Sequence, residues 1–303
     1  MSEIYYDASQ QWVLNITLAL MVLGLALDVK PKAFFKVMQS PKAPVIALLA
    51  QFLLLPMFTC GLTLILDLPV GIELGMILVA ACPGGALSNF ITHLSGGNTA
   101  LSISITAISS SLALFMLPIN FVFWAGLNPE THAMLQSINV SGMDILLSLL
   151  VVLALPLVLG FTIQHFLPKL SGVLHHILKY LSVAALFVFI FVAIFRNQEA
   201  FFEHFWLLLV IVFVHNALAL CLGYFSSSAA KLNLADKKAV TLEVGMQNSS
   251  LAIAIVFSQF GGEHGMALIS AFWGTWHIVS GLVFALLCAR YLKNKKVVVK
   301  NEA

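Results

Sequence analysis

Nine long apolar runs follow one another along this chain, near residues 12–28, 43–66, 71–95, 98–125, 143–166, 177–195, 205–227, 237–260 and 265–290, and most of the charge lies between them. About 20 apolar residues in a helix cross the roughly 30 Å hydrocarbon core of a bilayer. Runs of that length predict an all-α, polytopic membrane protein with about nine transmembrane helices, forming a single membrane domain over residues 1–303. Composition agrees. Of 303 residues, 60% are hydrophobic and 9% are charged, where a globular domain has about 25% charged, and the mean hydropathy is +1.00. The segment ahead of the first run lacks a basic cluster, so residues 12–28 read as a retained span rather than a cleaved signal peptide.

The charges separate by side. With nine spans, fourteen of the fifteen Lys and Arg fall on one face of the membrane: Lys30, Lys32, Lys36 and Lys42, then Lys169 and Lys179, then Lys231, Lys237 and Lys238, then Arg290 and the lysines after it. The other face receives Arg196 with most of the acids, including Glu3, Asp7, Asp67, Glu130, Glu199 and Glu263. By the positive-inside rule the C-terminus is cytoplasmic and the N-terminus external. The four cysteines, Cys60, Cys82, Cys221 and Cys288, sit in apolar stretches without metal or redox spacing and read as packing residues.

Runs two to four and runs seven to nine share one layout: a long helix, a helix interrupted by polar residues and glycine, and another long helix. Five spans separate corresponding members, so the two units enter the membrane from opposite faces, which makes an inverted repeat with two broken helices that cross. One interruption is Cys82-Pro83-Gly84-Gly85, where proline removes an amide donor and glycine favours leaving the helix. The other crowds Glu243, Gln247, Asn248, Ser249 and Ser250 around Gly245. Unwound backbone at this depth is buried in protein or lines a cavity, and broken helices turn amide ends toward anions and free carbonyls toward cations.

Glu243 reads as the only carboxylate clearly inside a span, about 10 Å past Asp236 at 1.5 Å per residue. No Lys or Arg inside a span is available to pair with it, and an unpaired buried charge is costly. Either it is protonated, or a bound cation supplies the missing charge. Ser88, Asn89, Gln51, Gln247 and the i, i+4 pair Ser102 and Thr106 are hard oxygen donors that suit a small alkali cation. His215-Asn216 and His277 are intramembrane polar groups read equally as packed hydrogen-bonders, and Phe187, Phe189 and Phe191 read as packing or lipid-facing residues. Enzyme motifs and nucleophile arrangements are missing, so the chain is not expected to be an enzyme.

At these residues the sequence resembles the bile acid:sodium symporter family. The motifs that carry the likeness are ACPGGALSN (81–89), LSISIT (101–106), HN (215–216), LEVGMQNS (242–249) and WH (276–277). The likeness runs over nearly the whole chain from about residue 12. It implies a core, about 43–125 and 205–290, that binds two sodium ions, and a panel, about 12–28 and 143–195, that moves against it. Carried over, one sodium site comprises Ser88, Asn89, Ser102, Thr106 and Glu243. The other comprises Gln51, Glu243 and Gln247 with the carbonyls of Val244 and Met246. The substrate site includes Ala86, Leu87, Asn248 and His277. Bacterial members of the family often have ten spans where this chain shows nine, and Ala86 stands where several bile-acid-handling relatives carry a polar side chain.

The expected function is sodium-coupled symport of an organic anion, bile-acid-like or a smaller carboxylate, by alternating access. The expected location is a cell membrane, such as a bacterial inner membrane. Partners reduce to the small organic anion and the lipid bilayer, with no nucleic acid and no obligate protein. Two other readings stay open: a proton-coupled organic anion carrier in which Glu243 titrates, and a membrane receptor that binds without transporting.

Overall fold

The computed structural model of this chain describes residues 11–28, 40–137, 142–196, 202 and 205–301. Lys30, Lys32, Lys36, Glu3, Asp7 and Glu199, used above to orient the chain, lie outside the described residues. Every expected run carries helix. In chain order these are α1 (Gln11–Asp28), α2 (Lys42–Leu66), α3 (Val70–Ala81), α4 (Ala86–Leu94), α5 (Thr99–Leu127), α6 (Pro129–Ser137) and α7 (Gly142–Phe166). They continue with α8 (Pro168–Arg196), α9 (Phe205–Ala229), α10 (Leu234–Gly245), α11 (Ser249–Gln259) and α12 (His264–Asn301). The protein is an all-α polytopic membrane protein, and the two runs expected to be interrupted are the two that split, into α3 with α4 and α10 with α11.

Five helices among the described residues are long and apolar enough to cross a membrane unbroken, in α2, α5, α7, α9 and α12, whereas the half-helices Val70–Ala81 and Ser249–Gln259 are shorter. Outer faces are apolar: Val45, Leu49 and Leu53 on α2, and Phe115, Ile119 and Phe123 on α5, stand exposed at helical spacing. Such stripes suit lipid and would be a liability in water. Short α6 had no apolar run to announce it.

The two units, α2 to α5 and α9 to α12, match in more than helix order. After α4 the chain turns through Gly96 (φ 67°), and after α11 through Gly261 (59°) and Gly262 (73°), left-handed geometry that side chains resist. Each turn delivers a capping residue to the next long helix. The Asn98 Oδ1 accepts from the Leu101 amide (3.1 Å), and the Glu263 Oε2 from the Met266 amide (2.7 Å). Helices α1, α7 and α8 pack on one another and meet the rest mainly along α5 and α11.

Glycine permits the close approach of α12 to α3. A β-carbon built on Gly265 would lie 2.6 Å from both the Gly71 carbonyl carbon and the Ile72 amide. Backbone cannot swing aside as a side chain does, so Gly265→Ala must part the two helices, at the cost of about 1–3 kcal/mol typical of overpacking. The expected result is a lower melting temperature in detergent. Gly61→Ala, where nothing lies within 4 Å of the added carbon, does not lower it.

Candidate functional site

The two breaks form one small piece of extended structure. Pro83 has no amide to give, and Cys82 and Gly85 leave helical geometry for extended backbone (ψ 154° and 156°). The Gly85 amide donates to the Met246 carbonyl and the Asn248 amide to the Pro83 carbonyl, both at 2.9 Å, so Gly84 and Gln247 pair antiparallel. Each break thereby satisfies backbone groups the other exposes, as burial in lipid demands. Neighbouring spans supply the rest in matched fashion. Gln51 from α2 donates to the Cys82 carbonyl (2.7 Å), and Asn216 from α9 donates to the Gly245 carbonyl (2.7 Å). Gln51 reaches that point from a π-helical turn, Ala50–Leu54, within α2, a distortion that often accompanies functional side chains.

Beside this crossing lies Glu243, fully buried near the end of α10. Its Oε2 accepts from Ser88 Oγ (2.7 Å), Thr106 Oγ1 (2.9 Å) and Ser102 Oγ (3.5 Å), and its Oε1 from Thr106 Oγ1 (2.8 Å). The Asn89 Oδ1 stands 2.8 Å from Ser102 Oγ and 3.1 Å from Thr106 Oγ1. The structure therefore brings Ser88, Asn89, Ser102, Thr106 and Glu243 into one cluster, drawn from α4, α5 and α10. Oxygens outnumber protons there. Thr106 has one hydroxyl hydrogen, and the Ser102 carbonyl (3.0 Å), Asn89 Oδ1 and both Glu243 oxygens all lie within reach of its oxygen. Lone pairs crowded in this way repel one another until a hard cation or a proton draws them in.

Gly84 leaves the carboxylate its space: a β-carbon there would stand 2.2 Å from Glu243 Oε1. Gln51 and Gln247 form a second group. Their side-chain amides pair reciprocally, Gln51 Nε2 to Gln247 Oε1 at 2.7 Å and Gln247 Nε2 to Gln51 Oε1 at 3.1 Å. Gln247 Nε2 also donates to the Val244 carbonyl (2.6 Å), and the Met246 carbonyl is taken by Gly85. Gln51, Val244, Met246 and Gln247 thus come together at the crossing, while the hydrogen bonds of Glu243 go to the first cluster.

The four residues expected at a substrate site are placed less uniformly. Ala86 is the first residue of α4, directly after Gly85 of the first break. Leu87 packs beside the cluster of Ile91, Leu242, Met246 and Ala285. Asn248 acts as the cap of α11, its Oδ1 accepting from the Leu251 amide at 3.1 Å. His277 is buried on α12, with Nδ1 2.6 Å from the Trp273 carbonyl. One turn to either side, Gly274 abuts Ser249 and Gly281 abuts Met246, so His277 lies on the face of α12 that covers the second break. Where α1 and α7 approach the first break there is a narrow cavity, lined by Val22, Ala26, Pro83, Ser110, Leu153 and Leu251 among others.

Two expectations need correction. Glu243 is not the only carboxylate buried in a span: Glu73 on α3 is 1% exposed, held by the Asn128 side chain (2.8 Å) and the Leu68 amide (3.1 Å). It stands near the start of a run, and the end of α5 and α6 fold over it. Lys238 is likewise buried, its ammonium 2.6 Å from the Ser95 carbonyl at the end of α4. A lysine can bury its stem while its charge meets a helix C-terminus, which spacing along the chain does not reveal. Of the four cysteines, Cys60 and Cys82 are buried and Cys221 is exposed; all four are free. The capping role of Asn98 went unread, although the echo of Gly96-Gly97-Asn98 in Gly261-Gly262-Glu263 is visible once the repeat is aligned.

Fold and site together define a helical membrane protein centred on two interrupted helices that cross beside a buried, oxygen-rich pocket. The chain belongs to the sodium bile acid symporter family: the family model described as Sodium Bile acid symporter family matches residues 15–204. It is 30% identical over 288 residues, 95% of this chain and 86% of the relative, to a Bacillus subtilis (strain 168) protein called Uncharacterized sodium-dependent transporter YocS. To the human Ileal sodium/bile acid cotransporter it is 25% identical over 295 residues, 96% of this chain and 82% of that protein. The P3 protein of Bos taurus is 33% identical over 220 residues, 72% of this chain, which spans only 45% of that longer relative. The family is one of transporters rather than enzymes.

Proposed function

We propose that this protein is a sodium-coupled symporter that moves an organic anion across a cell membrane by alternating access. The observation that carries the reading is the cluster in which one fully buried carboxylate, an amide oxygen and three hydroxyls share fewer protons than they have lone pairs. Sodium is cargo here. Ser88, Asn89, Ser102, Thr106 and Glu243 hold one ion. Gln51, Gln247, Glu243 and the Val244 and Met246 carbonyls hold a second once the two glutamine amides turn their oxygens inward, a rotation whose direction side-chain amides readily reverse. The anion meets the N-terminus of α4 at Ala86 and Leu87 and the polar atoms of Asn248 and His277, where helix amides favour negative charge. Helices α1, α7 and α8 act as the panel that rocks against the remaining core, and the lysine-rich ends face the cytoplasm.

Sodium bound at the crossing ties α4, α5 and α10 together, so the anion meets a finished site only after the ion. The test is a thermal-shift screen of bile acids and smaller carboxylates on the purified protein, in sodium and in potassium. A ligand at about 100 times its dissociation constant stabilises by about 2.7 kcal/mol. The expected result is an anion that raises the melting temperature in sodium and fails to do so in potassium. Equal shifts in both salts, or accumulation in liposomes that follows a pH gradient without sodium, would overturn the reading.

A further inference from the structure

The cation cluster has parts on two helices that run side by side, and something must set how far one lies along the other. Ser102 and Thr106 are on α5 and Glu243 is on α10. Both helices begin at the same end of the protein, with interlocked caps. The Asn98 side chain caps α5 through Oδ1 and donates from Nδ2 to Asp236 Oδ1 (2.7 Å), while the Asn98 amide donates to the Ala235 carbonyl (3.0 Å). Asn233 caps α10 through the Asp236 amide (2.9 Å) and donates to Asp236 Oδ2 (2.7 Å). Asp236 therefore joins the caps of two different helices. From the contact of Asn98 with Ala235, an equal number of residues along each helix leads to the contact of Thr106 with Glu243. Helices that advance equally from one locked pair arrive in register at the next, about 12 Å away at 1.5 Å per residue.

The other repeat contains a counterpart. Glu73 on α3 accepts from Asn128 at the far end of α5 (2.8 Å). Glu73 and Asp236 stand equally far before Gly84 and Gln247, the residues that pair where the two broken helices cross. Each broken helix thus contributes one acid that holds one end of α5 by an asparagine.

We infer that Asn98 and Asp236 are positioning residues for the cation site, setting the register of α5 on α10 so that Ser102 and Thr106 meet Glu243. This rests on the reading of that cluster as a sodium site. Neither residue touches the ion. The pair acts through the helices, and its loss lets α5 slide or tilt by a fraction of a turn, enough to take the hydroxyls out of reach. Preorganised ligands held by supporting hydrogen bonds bind more tightly than the same ligands held loosely.

The test is sodium titration of the melting temperature of the full chain in detergent, for the wild type, Asn98→Asp, Asp236→Asn and the double swap. Asn98→Asp sets two carboxylates face to face and raises the sodium concentration for half-maximal stabilisation about tenfold, a factor in keeping with one like-charge contact at a partly exposed site. Asp236→Asn alone has a smaller effect, because an amide oxygen still accepts from Asn98. The double swap restores an acid–amide pair with its direction reversed and returns the midpoint toward wild type. Asn98→Gly, which keeps an acceptable cap, raises the midpoint as well and stands in if Asn98→Asp does not fold. Asn128→Ala, at the opposite end of α5, leaves the midpoint unchanged. An unaltered midpoint in Asn98→Asp and Asn98→Gly, or a double swap no better than Asn98→Asp, overturns the inference. A wild type that sodium does not stabilise sinks the reading of the cluster instead.

Discussion

Glu243→Gln gives a protein that folds, inserts and no longer responds to sodium. The substitution keeps the shape of the side chain and an oxygen for Ser88 or Thr106 to donate to, but removes the one negative charge in the cluster. Stripping one partner from a buried charge pair costs about 3–5 kcal/mol, which at about 1.4 kcal/mol per factor of ten is a loss of a hundredfold or more in ion affinity. Uptake of any transported anion should then be indistinguishable between sodium and potassium. Glu243→Ala has the same outcome, with lower stability from the cavity it opens. The decisive measurement pairs a sodium titration with a melting curve: retained folding with lost sodium response supports the site, whereas normal sodium-driven uptake in either variant refutes it.

Gly84→Ala attacks the same carboxylate from the other break. Gly84 is absent from the positions with left-handed backbone, which are Gly96, Gly261 and Gly262 among the described glycines. Alanine therefore meets no backbone objection, and the added carbon falls 2.2 Å from Glu243 Oε1 and 2.7 Å from its Cδ. The carboxylate must turn away from Ser88 and Thr106 or the two breaks must separate. Overpacking of about 1–3 kcal/mol appears as a rise of about five- to a hundredfold in the sodium needed for half-maximal uptake, at about 1.4 kcal/mol per factor of ten. Wild-type sodium dependence in this variant would mean that Glu243 does not face Gly84 in the working protein.

Much of the site was legible because its chemistry is conspicuous in an apolar chain. A glutamate inside a hydrophobic run, hydroxyls at Ser102 and Thr106 one turn apart, and a proline with two glycines in mid-span are each anomalous, and the structure places all of them at one crossing. The motif reads Asn248 as a substrate contact, and in the structure its Oδ1 also caps α11. A polar residue just ahead of a helix serves equally well as ligand or cap, and the one-dimensional pattern does not separate the two. Glu73 and Lys238 stand near the ends of apolar runs, where the pattern along the chain does not give their depth. In the folded protein the end of α5 and α6 cover Glu73, and the end of α4 covers Lys238, so burial at a run boundary depends on what folds over it.

The architecture of spans followed from the chain alone, since lipid forces each long apolar run into a helix that satisfies its own backbone, and proline and glycine mark where that becomes impossible. Which carbonyls and amides the broken segments then find is a different matter. The pairing of Gly84 with Gln247, the matched donations from Gln51 and Asn216, and the common start that brings Thr106 level with Glu243 all join residues far apart in sequence. Those contacts exist only once two repeats have packed against each other, because an unsatisfied backbone group in a membrane takes whichever partner the neighbouring helices bring within reach.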